Sequence, residues 1–188
     1  MSQYTQSLDD ALETFQLLRP LEPKITESAN LVLACLKSGG KLLLCGNGGS
    51  AADSGHIATE FTCRFQGDRR PYPAIALSSD GGLLTAIGND YAFQDIFARQ
   101  VRAFGKPGDV LIGLSTSGKS RNVLFAIEEA KRLGMSSIVL LGKGGGFTKG
   151  AADVEIAVAG TVTARIQEAH KFLLHAICEL VEPELEKE

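Results

Sequence analysis

The sequence has no apolar run approaching the roughly 18 residues of a membrane span, no C-x-x-C pair and no excess of basic residues. The first absence argues against a spanning helix. The second argues against a thiol metal site or a redox pair, so the four cysteines (Cys35, Cys45, Cys63, Cys178), all in apolar stretches, are expected to be buried free thiols in a reducing compartment. The third, with a formal charge of −3, gives no general reason to expect nucleic acid or an anionic membrane as partner. The opening stretch "MSQYTQSLDDALETFQLLRP" carries acidic residues where a signal peptide would carry its apolar segment, so a cytoplasmic protein is expected. Histidine is scarce too, with only three.

Glycine is what the chain has in plenty: 21 residues, clustered after apolar runs. Apolar positions at helical spacing predict helices over 5–19 and 25–38, separated by Pro20 and Pro23 and closed by Gly39-Gly40. Five short apolar runs then follow, at Leu42–Cys45, Ala74–Leu77, Val110–Leu114, Ile138–Leu141 and Val154–Val158. Segments of helical length lie between them, notably 50–62, 93–104 and 121–133, and one long helix is predicted over 164–182. Strands apolar at nearly every position are covered on both faces. The expected fold is a three-layer α/β/α sandwich around a five-stranded parallel sheet. With no linker or repeat, one domain is expected over 1–188: an N-terminal helical segment to about 38, a sheet core at about 41–160, and the C-terminal helix.

Two strand-to-helix loops share one chemistry, "LLLC-GNGGS-AADSGHI" and "VLIGL-STSGKS-RNVLFAI". Ligands of open parallel sheets bind beyond the carboxyl ends of the strands. Helix starts there offer free N–H groups and a positive dipole to anions. Ser115, Thr116, Ser117 and Ser120 add hydroxyl donors. "GLSTSGKS" fits the Walker pattern formally, but no later strand ends in the carboxylate that would hold magnesium. The bland alternative, tight turns with hydroxyl helix caps, weakens when two such loops share one sheet.

His56 and Glu60 lie i, i+4 on one helical face just behind the first loop. In "RIQEAHKFLLHAICE", His175 lies about 80° around the helix from Gln167 and His170 about 60° the other way. Either histidine could therefore approach a site that Gln167 enters, and periodicity does not choose between them.

In combination, "CGNGGSAADSGHIATEFTCRF", "AIGNDYAFQDIFARQ", "GDVLIGLSTSGKSRNV" and "ARIQEAHKFLLHAICELVE" resemble the phosphoheptose isomerases, members of the sugar isomerase (SIS) domain group, over about 25–182. The resemblance implies a homotetramer with active sites at subunit interfaces. It also implies an aldose–ketose isomerase acting on sedoheptulose 7-phosphate, at the start of a heptose pathway to surface polysaccharide. Sugar contacts would come from Asn47, Gly48, Gly49, Asn89 and Asp90, together with Glu60 and Gln167. Phosphate would sit on Ser115, Thr116, Ser117 and Ser120. His56, Glu60, Gln167 and His175 match the family's zinc ligands, which selects His175 over His170, and Glu60 and His175 would be catalytic. With no thiolate in the set, one zinc per subunit would be held loosely.

Two positions depart from the family pattern: Ala164, where Asp is often found before the Arg of "RIQE", and Lys119, where Asn is frequent. The competing readings are a non-catalytic SIS protein that binds the replication initiator DnaA, and a sugar-phosphate sensor. Retention of both Glu60 and His175 favours the enzyme.

Overall fold

In a computed structural model describing residues 1–185, the five apolar runs form one parallel sheet in the order β2-β1-β3-β4-β5. The last three positions of the expected domain span, 186–188, lie outside the described residues. Helices α1 (Gln3–Gln16) and α2 (Glu22–Lys37) precede β1 (Leu42–Gly46), α3 (Gly49–Thr62) and β2 (Ala74–Ala76). Helices α4 (Gly81–Asp90) and α5 (Ala98–Phe104) lead into β3 (Val110–Ser115). Then come α6 (Arg121–Arg132), β4 (Ser136–Leu141), β5 (Val154–Ala157) and α7 (Thr163–Val181). Among the described residues, no helix is long and apolar enough to cross a membrane.

The pleat sends alternate residues of each strand to opposite faces, and two apolar clusters result. Leu42 and Leu44 of β1 join the cluster beneath α2, α3 and α7, while Leu43 and Cys45 join the one beneath α5 and α6. Because both faces are covered, the central strands are buried along nearly their whole length and apolar through their middles, the reason they read as continuous runs. All pairings are parallel, so both glycine- and serine-rich loops emerge at the same edge. The expected α/β/α sandwich is the observed fold.

Three expectations need correction. The segment 93–104 is not one helix: a single 3-10 turn at Phe93–Asp95 is followed by the short α5. Helix α4 was not foreseen, because only Ile87 of its ten residues is buried and periodicity has little to register; Asp80 starts it by accepting from Leu83 N at 2.9 Å. Cys63 is exposed, not buried, since it follows the last residue of α3; the other three cysteines are buried free thiols.

Helix α5 is tied to α6 by charge. The Glu129 carboxylate accepts from Arg102 (Nε 2.8 Å, Nη2 3.0 Å) and from Arg132 (Nη2 2.5 Å, Nε 3.2 Å). Those hydrogen bonds, Arg102's first, hold its pKa down at about 2, against 4.5 for an unperturbed Glu. The unfolded chain therefore takes up this proton before the folded one does. The contribution is full above about pH 4.5 and is lost as pH falls towards 2. Solvent screening at the exposed arginines limits it to on the order of 1 kcal/mol. Glu129→Gln is expected to lower Tm at pH 7 by a few degrees and to leave Tm at pH 2 near wild type, checked by thermal melts at both pH values.

Candidate active site

Helices α3 and α7 run side by side in register, and that pairing assembles the ionisable groups. Gly49 meets Gln167, Asp53 meets Lys171, and His56 meets His175, at intervals of three to four residues on each helix. At Gly49 the approach is close: a Cβ would lie 2.2 Å from Gln167 Nε2 and 2.4 Å from its Oε1, so any larger residue would push that carboxamide aside. Gly48, at φ +56°, takes the left-handed backbone that starts α3. The Gln167 carboxamide thus lies directly over the first loop.

Further along, His56 Nε2 stands 2.9 Å from His175 Nε2 and 3.2 Å from Glu60 Oε1. Ligand atoms of the three residues all fall within 4.8 Å of one another. A tetrahedral ion with bonds of about 2.0–2.1 Å separates its nitrogens by about 3.3 Å, so small side-chain movements would admit a divalent cation. The donor set of two imidazoles and a carboxylate suits zinc. Gln167 lies eight residues before His175, about 12 Å of helical rise away.

His170 has a different setting. It is buried, its Nε2 lies 3.1 Å from the Leu141 carbonyl, and among the described residues its Nδ1 has no partner. A carbonyl only accepts, so Nε2 carries the proton. Burial pulls its pKa down to about 4, against a smaller upward pull from the Leu141 hydrogen bond and Asp53, so the ring is neutral at pH 7.

The second loop is built by backbone packing. Ser115 and Ser120 hydroxyls are 2.9 Å apart, and Ser117 Oγ accepts from Lys119 N at 3.1 Å. With Ser120 turned to Ser115, its hydroxyl does not cap α6; Val123 N is taken by Asn122 Oδ1, and the N–H groups of Arg121 and Asn122 at the helix start remain available to an anion. Gly118, at φ +63°, lies so close to the 142–148 turn that a Cβ would fall 2.0 Å from Gly145 O. Thr148 then donates to Gly118 O through both N (3.1 Å) and Oγ1 (2.8 Å).

The two loops face one cavity of about 570 Å³, which Asn47, Lys119 and Ser120 line together with Phe93 and Phe147. Asn89 and Asp90 lie apart from it: Asn89 Nδ2 donates to Asp90 Oδ1 at 2.9 Å, and Asp90 lines a separate groove with Tyr91 and Arg99.

Several supporting residues escaped the sequence reading. Glu182 accepts from Phe65 N (3.1 Å), Gln66 N (2.8 Å), Gly67 N (3.0 Å) and Arg69 Nε (3.1 Å). Burial alone would raise this carboxyl, but those donors outweigh it and hold its pKa below the usual range. The loop it secures stacks Phe65 on His175. Buried Arg69 donates to the Phe61 and Glu60 carbonyls at the end of α3. The Asn122 carboxamide pairs with that of Asn47. Long-range partners of this sort leave no local pattern.

The SIS domain family model matches residues 3–142. The chain is 51% identical to the phosphoheptose isomerase of Clostridium acetobutylicum over 162 residues, 86% of this chain and 83% of that one. The chain belongs to the phosphoheptose isomerase family. Solved phosphoheptose isomerases have the same fold: that of Francisella tularensis superposes with a TM-score of 0.93 at 36% identity, over 97% of this chain and 100% of its own. That of Neisseria gonorrhoeae gives 0.89 at 42% identity, over 96% and 97%. Within this phosphoheptose isomerase fold, α7 with Gln167 and His175 lies beyond the span of the domain model but inside both superpositions.

Proposed function

We propose that the chain interconverts sedoheptulose 7-phosphate and D-glycero-D-manno-heptose 7-phosphate through an enediol. The observation that carries this reading is the meeting of His56, Glu60 and His175 on the same two helices that hold the glycine loop and Gln167. Glu60 takes a proton from C1 of the ketose and returns one to C2, while the C2 oxygen gains a proton and the C1 hydroxyl gives one up. Glu60 Oε1 faces His56, which leaves Oε2 for the carbon acid. His175 serves the oxygens as acid. His56, Glu60 and His175 would hold zinc, which when bound supplies Lewis-acid polarisation of the carbonyl; Gln167, over the glycine loop about two turns away, goes with the sugar contacts instead. Neither DnaA binding nor a sensor role gains support from relatives that are themselves named as isomerases.

The phosphate belongs on Ser115, Thr116, Ser117 and Ser120 at the start of α6, with Asn47, Gly48 and Gly49 meeting the sugar. Glu60 lies eleven residues beyond Gly49, about 16 Å along α3, which favours a site completed by a second copy and gives a place to Asn89 and Asp90. A homo-oligomer, proposed as a tetramer in the cytoplasm, would also cover the stripe of Leu8, Leu12, Phe15 and Phe172. These side chains are 37–54% exposed beside a cavity of about 610 Å³ between α1, α2 and α7.

Ser117→Ala tests the cradle. Steady-state kinetics with sedoheptulose 7-phosphate are expected to show KM raised at least about tenfold with folding intact. Tight, magnesium-dependent ATP binding by the wild type would instead make this loop a nucleotide site.

A further inference from the structure

The two loops are joined by a reciprocal amide pair. Asn47 Nδ2 donates to Asn122 Oδ1 at 2.9 Å, and Asn122 Nδ2 donates to Asn47 Oδ1 at 2.8 Å. Asn122 is the second residue of α6 and is 2% exposed, whereas Asn47 is half-buried at the end of β1. Asn122 Oδ1 also accepts from Val123 N at 3.0 Å, which fixes its own orientation.

Each carboxamide carries two N–H donors and an oxygen with two lone pairs. Pairing uses one donor and one lone pair of Asn47. One N–H and one lone pair remain on a side chain that lines the shared cavity. A donor beside an acceptor, both held still, is what a sugar hydroxyl can use in both directions. The pairing also sets the spacing between the glycine loop and the phosphate cradle, since β1 and β3 are neighbours with Gly46 opposite Leu114.

We propose that Asn122 is a positioning residue of the isomerase: it orients the Asn47 carboxamide towards the sugar and locks the first loop to the phosphate loop. This rests on the reading that Asn47 meets the substrate.

The experiment compares wild type, Asn122→Ala, Asn122→Asp, Asn47→Ala and the double alanine variant. Each is assayed for kcat and KM with sedoheptulose 7-phosphate, and for Tm. Asn122→Ala should raise KM about tenfold or more with a smaller change in kcat. The double variant should be no worse than about twofold beyond the poorer single one, because both substitutions break one unit.

Asn122→Asp keeps the shape and carries the test if the alanine variant does not fold. Ionised, it has no donor for Asn47 Oδ1; protonated, its O–H supplies one. Its KM relative to wild type should therefore be high at pH 8 and shrink as the pH is lowered towards 5. Wild-type KM in either Asn122 variant, with only Tm reduced, would make the pair structural and overturn the proposal. Multiplying effects in the double variant would overturn it as well. A wild type inert towards the sugar phosphate would instead count against the functional reading.

Discussion

Replacing Glu60 by Gln is expected to leave sedoheptulose 7-phosphate bound within about tenfold of wild type, a difference of roughly 1.4 kcal/mol. Turnover should fall by at least about a hundredfold, because loss of a general base typically costs about 10²–10⁴ in rate. The substitution keeps the length of the side chain and its hydrogen-bonding capacity beside His56, and removes the basic oxygen. Glu60 is well placed to be precise: Arg69 holds its backbone carbonyl, and its carboxylate reaches His56 at 3.2 Å. Exchange of the substrate's carbon-bound proton with deuterated solvent should vanish together with turnover. Near wild-type exchange in the variant would transfer the role of base to His175.

The two histidines of α7 should respond differently to alanine. His175→Ala removes a donor that lies 2.9 Å from His56 Nε2, so bound zinc and turnover should both be lost, turnover by about a hundredfold or more. His170→Ala removes a neutral, buried ring that touches Leu141 O. That carbonyl keeps a second donor, Val158 N at 2.8 Å, so the cost is chiefly the cavity, about 2–4 kcal/mol of stability. Zinc content and the activity of the folded variant should stay within a few-fold of wild type.

A pH signature accompanies the stability loss. The unfolded imidazole takes up its proton near pH 6.5, whereas the folded one resists until about 4. The wild type therefore loses stability as pH falls across that interval, and His170→Ala should not show this component. Equal zinc loss in the two variants, by metal analysis, would reject the choice of His175.

Sheet and loops were legible because their causes are local. β1, β3 and β4 are covered on both faces, so each appears as an uninterrupted apolar run, and the glycine and serine loops punctuate them. His56 and Glu60 could be paired from helical spacing alone. Choosing His175 over His170 could not be done that way, since both lie within reach of Gln167's face; the pairing of α3 with α7 puts one at His56 and the other under the sheet edge. The apolar positions Leu8, Leu12 and Phe15 predicted a helix correctly, yet they stay exposed in the single chain. Periodicity reports that a face needs cover without naming what covers it. Residues such as Asn122, Arg69 and Glu182 act on partners tens of positions away, and no spacing rule reaches that far.

The central claim is that this chain isomerises a seven-carbon ketose phosphate at the Glu60/His175 cluster. Incubating the purified protein with sedoheptulose 7-phosphate in deuterated buffer, and following the sugar by NMR, tests it most directly. The account predicts that D-glycero-D-manno-heptose 7-phosphate appears with deuterium at C2, and that neither product nor label appears with Glu60→Gln. A wild type that leaves the ketose unchanged and unlabelled, with zinc supplied, would contradict it.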